Sequence, residues 1–226
     1  MAATTTAATD VGLSPTPDSS AKVTLGARSA QKNNNNKAKA TVYIAITLDG
    51  YIATSDGSVN FLNKYQSSAW TEDEDMGFSA FMYTVDLLIM GRKTWDHVIS
   101  FGDEMWPYGD LPIWICSRQH PSEVNIPNSR KEQAKVVGAS PPDLLQMARM
   151  EGYHHAYVDG ATTIREFVRC GCVEEFILTK VPLLLGSGIS LFPPSDASNA
   201  SNALEMIHLT TKSYSNGLVQ SHYRVR

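Results

Sequence analysis

From about residue 41 onward the chain alternates short apolar runs with stretches whose apolar positions recur at helical spacing. "TVYIAIT" (41–47) is apolar and β-branched, which predicts a buried strand. "DLLIM", "LPIWICS", "KVVGAS", "HAYVDG" and "EEFILTKVPLLL" follow as further strands. Between them lie helical patterns. One is expected after Thr71, where Thr71-x-x-Glu74 has capping-box spacing and Phe78, Phe81, Met82 and Val85 supply an apolar face. A short helix carries Trp95, Val98 and Ile99. Ser140-Pro141-Pro142-Asp143 opens another that Gly152 closes. The last runs from about Thr162 to Cys170 and is closed by Gly171. Asp49-Gly50 and Asp56-Gly57 mark turns, and Ser215-Asn216-Gly217 joins two C-terminal strands as a hairpin. Strands alternating with helices predict an α/β fold: a mostly parallel sheet flanked by helices, with a C-terminal antiparallel hairpin at its edge.

The first forty residues break this pattern. They hold no aromatic residue, are rich in Ala, Thr and Ser, and include the run Asn33 to Asn36. Such a segment cannot bury enough apolar surface to offset its ordering entropy, so residues 1–40 are read as a disordered tail and 41–226 as one domain. The tail carries +3, leaving −7 for the remainder. A Ser-rich, basic stretch also suits an organellar targeting segment, although Asp10 and Asp18 count against it.

Composition narrows the function classes. No run of apolar residues is long enough to span a membrane. The net charge of −4, without a basic stripe interleaved with aromatics, argues against nucleic acid as a partner. Cys116, Cys170 and Cys172 make an odd count without a CxxC pair, which argues against a disulfide framework or zinc site and fits a reducing, cytoplasmic compartment. No metal-ligand spacing appears, and no H-x-E followed by P-C-x-x-C, the signature of zinc deamination. His97, His154, His155 and the thiols are adequately explained as solvated or inert groups.

Open α/β sheets bind ligands at the carboxyl ends of their strands. Three such ends carry suitable residues. In "LLIMGRKTW" a strand ends at Gly91, and a helix begins with Arg92, Lys93 and Thr94, offering free N–H groups and fixed cations to a phosphate. Ser117 and Arg118 follow a second strand and suit a phosphate monoester. Gly160, Ala161, Thr162 and Thr163 are small and start a helix, permitting close backbone approach to a pyrophosphate. Two cationic strand ends point to a phosphorylated ribose, and so to NADPH over NADH. "LGSGIS" is read as a turn, because Leu191 occupies the place of the third glycine of a dinucleotide fingerprint.

"IMGRKTW" resembles the cofactor-binding segment of dihydrofolate reductases. "TLDGYIA", "YVDGATTIREFV", "VPLLLGSGISLF" and "YSNGLVQSHY" are similar to the riboflavin deaminase-reductase C-terminal domain family and occur in its order. This resemblance implies a dihydrofolate-reductase-like fold, an NADPH-dependent reductase acting on a small molecule, and a homodimer. By position it implies that Arg92, Thr94, Ser117 and Arg118 hold the 2′-phosphate and its neighbours, that Gly91 and Gly160–Thr163 face the pyrophosphate, and that Ala45 lies beside the nicotinamide. The family usually has two adjacent glycines before this helix, and Asp159 stands in place of the first. Two carboxylates are the catalytic candidates. Asp49 matches a substrate-side aspartate of the riboflavin-type reductases, with turn formation as its plain role. Asp75 lies sixteen positions before Gly91, the spacing of the pterin-binding carboxylate of dihydrofolate reductases, with service at a helix N-terminus as its plain role. Dihydrofolate reductase itself and a non-catalytic nucleotide-binding module are the competing functions.

Overall fold

The apolar strand runs become one eight-stranded sheet. The computed structural model describes residues 36–65, 75–193 and 203–226, and one compact unit extends over Asn34–Arg226. The central strand is β1 (Lys39–Thr47), and β3 (Leu87–Gly91), β4 (Ile113–Cys116), β5 (Ala134–Val137), β6 (His155–Asp159) and β7 (Glu175–Val181) run parallel to it. The spatial order is β5-β4-β3-β6-β1-β7-β10-β9, where β9 (Met206–Ser213) and β10 (Val219–Val225) form the C-terminal hairpin. β10 is antiparallel to both β7 and β9.

Helices cover both faces, which is why the inner strands read as near-continuous apolar runs. Leu87 and Ile89 of β3 join a core with Leu144, Leu145 and Ala148 of α3 (Pro141–Met150) and Ile164 and Phe167 of α4 (Ala161–Arg169). Their neighbours Leu88 and Met90 join the opposite core, with Phe81 of α1 (Phe78–Met82) and Trp95 and Val98 of α2 (Arg92–Ile99). The alternation along β3 is the period of two that sends successive side chains to opposite faces.

Three elements differ from the sequence reading. The helix expected after Thr71 is the short α1, and the capping box of Thr71 and Glu74 lies outside the described residues, as does the tail through residue 35. Asp75 serves that terminus, accepting from Gly77 N at 2.7 Å and Ser79 N at 2.8 Å. The "LGSGIS" turn leads into β8 (Ile189–Ser190), which pairs antiparallel with β2 (Tyr51–Ala53) as a second, two-stranded sheet. Strands this short carry no readable alternation, so no pattern announced them. At the start of α3, the Ser140 hydroxyl donates to Asp143 Oδ2 at 2.5 Å and makes no cap bond to the backbone.

Candidate active site

Strand order creates the opening. The chain steps outward from β1 through β3, β4 and β5, then returns with β6 between β3 and β1. The helix after β3 packs on one face and the helix after β6 on the other. Their N-termini therefore flank a crevice at the carboxyl edge of the sheet, the place where such sheets take ligands. A cleft of about 1890 Å³ opens there.

Ala45, Gly91, Arg92, Lys93, Thr94, Ser117, Arg118 and Gly160 to Thr163, the binding residues expected from the sequence, all line this one cleft. Three separate strand ends are thus brought together. Ile52 and Ala53 of β2 and Ile189 of β8 wall the side near β1. The sequence pattern missed them, because the small sheet that places them is built from segments far apart in the chain.

The two helix starts interlock. A Cβ on Gly91 would stand 2.8 Å from Thr163 Oγ1, and one on Gly160 would overlap Thr94 Oγ1. Each glycine accepts the threonine of the other helix. The absence of a side chain that the sequence reading gave to phosphate approach is used first for helix against helix. Both helix starts line the same cleft, and the first N–H groups of a helix, which have no partner within it, suit anions. Arg92 forms an i,i+4 ion pair with Asp96, while Lys93 and Arg118 are exposed.

Neither proposed catalytic carboxylate lines the cleft, and each has a backbone task. Asp49 Oδ1 accepts from the Thr47 hydroxyl at 2.5 Å and Leu185 N at 3.1 Å, and Oδ2 accepts from Gly186 N at 2.7 Å. The Thr47 hydroxyl, followed by those N–H groups, holds its carboxyl down at about 2. Asp75 is partly buried, which works against its charge, but the Ser79 hydroxyl and the N–H groups of Ser79 and Gly77 prevail and lower it. A carboxylate saturated by donors is a poor proton carrier, so both geometries favour the turn and cap roles.

Of the carboxylates that do line the cleft, Asp56, Asp96, Asp159 and Glu166, one has its pKa raised. Asp159, at the end of β6, accepts from Gly160 N at 2.7 Å through Oδ1 and from the Tyr108 hydroxyl at 3.3 Å through Oδ2. Burial pushes it above the usual carboxylate range despite those two donors. Burial, and then the Asp159 charge, raises Tyr108 and Tyr157 well above the ordinary phenol value. The sequence showed the aspartate as a departure from a glycine pair, but nothing local signalled its enclosure. Cys116, also in the lining, is pushed up to about 12 by burial and stays a thiol. Among the described residues no His, Cys, Asp and Glu group could hold a metal, and no helix is long and apolar enough to cross a membrane.

Comparison with known proteins gives the geometry a lineage. The family model of the RibD C-terminal domain matches residues 38–220. The uncharacterized protein YwjB of Bacillus subtilis (strain 168) is 31% identical over 156 residues, covering 68% of this chain and 82% of that protein. The uncharacterized protein YyaP of the same organism is 27% identical over 197 residues, 84% of this chain and 97% of that protein. A crystal structure from Shewanella sp. PV-4, assigned provisionally to riboflavin biosynthesis, matches with a TM-score of 0.72 at 30% identity, over 83% of this chain and 99% of that one. The Thermotoga maritima diaminohydroxyphosphoribosylaminopyrimidine deaminase/5-amino-6-(5-phosphoribosylamino)uracil reductase matches with a TM-score of 0.61 at 14% identity, over 85% of this chain and 58% of that one, a likeness of fold alone.

Proposed function

We propose that this chain, which belongs to the RibD C-terminal domain family, is an NADPH-dependent reductase that transfers a hydride to a small heterocyclic or carbonyl substrate. The observation that carries this reading is the convergence of two interlocked helix N-termini with Arg92, Lys93, Ser117 and Arg118 on one cleft. A dinucleotide phosphate brings a pyrophosphate and a separate monoester, and the cleft offers a matching division of donors. Gly160 to Thr163 and the start of α2 suit the pyrophosphate, while Arg92 and Thr94 with Ser117 and Arg118 suit the monoester. The apolar lining of Ala45, Ile52 and Ala53 suits a planar ring. The dinucleotide would supply the hydride; the protein aligns the two reactants and excludes water. Asp49 would act indirectly, by fixing the 185–186 segment that leads into β8.

In its most specific form the reading names a ribosylamino-pyrimidine of riboflavin synthesis as substrate, and a homodimer in a reducing cytoplasm as the working state. Asp75, engaged at the start of α1, lends no support to dihydrofolate reductase.

Arg92→Ala tests cofactor choice. A hydrogen bond to a charged group contributes roughly 1.5–3 kcal/mol, or about 10- to 150-fold in affinity. Fluorescence titration should show NADPH weakened by that factor and NADH almost unchanged. Equal loss of both would assign Arg92 to the pyrophosphate. Wild-type protein that binds neither dinucleotide would end the reductase reading.

A further inference from the structure

Four carboxylates line the cleft. Asp96 and Glu166 are ion-paired with Arg92 and Arg169, and Asp56 holds the Thr54–Ser58 turn, which leaves Asp159 without a task. We infer that Asp159 is a proton-holding group beside the reactive end of the dinucleotide, and that it couples the site's preference for the oxidised or reduced form to pH. The inference rests on the dinucleotide reading and adds a specificity residue to it.

Position is the first argument. β6 pairs with β1 so that Val158 lies opposite Val42, which puts Asp159 beside Tyr43. Adjacent strands lie about 4.8 Å apart, so Asp159 is one strand over from the Ile44–Ala45 segment of the lining. Phosphates are drawn to the helix starts and their cations. The ring is left the apolar lining of Ile44, Ala45, Ile52 and Ala53, and the register of β6 against β1 sets Asp159 between that lining and the start of α4 that it immediately precedes.

Charge is the second. A dihydronicotinamide ring is neutral and an oxidised one carries a positive charge. An ionised Asp159 therefore favours the oxidised ring, whereas a protonated one does not discriminate by charge. The side chain is placed to hold either state. Gly160 N and Tyr108 stabilise the carboxylate, and its enclosure, the stronger influence, opposes it. The ionisable groups facing it are Tyr108, from the segment before β4, and Tyr157, on its own strand; both stay neutral well past the ordinary phenol value. The other charged or histidine side chains of the lining are Arg92, Lys93, Asp96 and His97 of α2, Arg118 after β4, Glu166 and Arg169 of α4, and Asp56 after β2; Arg92–Asp96 and Arg169–Glu166 are ion pairs.

The test needs no substrate. Dissociation constants of NADP+ and NADPH are measured by titration from acid to alkaline pH. The secondary ionisation of the 2′-phosphate is common to both and cancels in their ratio. Wild-type protein should shift toward NADP+ by about tenfold as pH rises through the Asp159 titration, the factor that one pKa unit of coupling represents. Asp159→Asn should flatten the ratio, weakening NADP+ and sparing NADPH. Tyr108→Phe, which keeps the ring and removes one donor to the carboxylate, should retain the shift but move it to higher pH. A wild-type ratio that stays flat, or an Asp159→Asn ratio that keeps the wild-type shift, would overturn the inference while leaving the reductase reading intact. Failure of wild type to bind either dinucleotide would overturn both.

Discussion

Asp49–Gly50 follows β1 and Asp159–Gly160 closes β6, the parallel strand paired beside it. The two glycines have almost the same φ, +89° and +87°. The two carboxylates have opposite surroundings. Asp49 is exposed and satisfied by a hydroxyl and two N–H groups, which hold it at about 2. Asp159 is half-buried near Tyr108 and Tyr157, and burial drives it upward. One dipeptide at equivalent strand ends thus has its carboxylate form favoured in one place and disfavoured in the other. The difference lies in what the rest of the fold brings alongside.

The sharpest contrast should come from the glycines. A Cβ at Gly50 meets nothing within 4 Å, so Gly50→Ala carries only the left-handed backbone cost, about 1–2 kcal/mol. At Gly160 the same Cβ also overlaps Thr94 Oγ1. Backbone strain and overpacking of about 1–3 kcal/mol each make about 3 kcal/mol or more the expected loss. Urea denaturation of the two variants measures the gap, and equal losses would mean that the helix starts are not interlocked.

The carboxylates should respond to pH in opposite senses. Asp159 is raised when folded, so the stability it contributes is complete below its ordinary 3.8 and is lost as pH rises through the raised value. Asp159→Asn should therefore gain melting temperature relative to wild type between acid and neutral pH. Asp49 is lowered, so its contribution is present above 3.8 and lost as pH falls through about 2. Asp49→Asn should lose melting temperature at neutral pH and approach wild type in strong acid, by a small amount because the group is solvent-screened. Melts across pH giving both variants the same sign would dissolve the contrast.

The smallest effect is local. Asp49→Asn should speed hydrogen exchange at the Leu185 and Gly186 amides, whose acceptor it weakens. Asp159→Asn should leave the Gly160 amide protected, since the amide oxygen of asparagine can still accept from it.

Much of this architecture was legible beforehand. Strands buried on both faces must be apolar at successive positions, so β1, β3, β4, β6 and β7 announced themselves. The cations and small residues that gather at the cleft were legible because they stand directly after those strands. The small β2–β8 sheet was not, since three residues facing two give no period to read. Asp49 and Asp75 were singled out because local sequence shows a carboxylate but not its partners. For Asp49 those partners, Leu185 and Gly186, lie 136 and 137 residues away.

The sequence by itself determined the parallel sheet, the strand ends that hold polar chemistry, and the small and cationic residues at two helix starts. These follow from periodicity and from groups adjacent along the chain. Only the tertiary structure decided that Gly91 and Gly160 receive each other's threonines, and that Asp159 rather than Asp49 lines the cleft with its carboxyl pushed upward. The physical reason is that desolvation and hydrogen bonding act through space. The hydroxyl that donates to Asp159 belongs to a residue 51 positions away, and the burial that raises its carboxyl exists only once the sheet, its helices and the loop bearing Tyr108 have assembled.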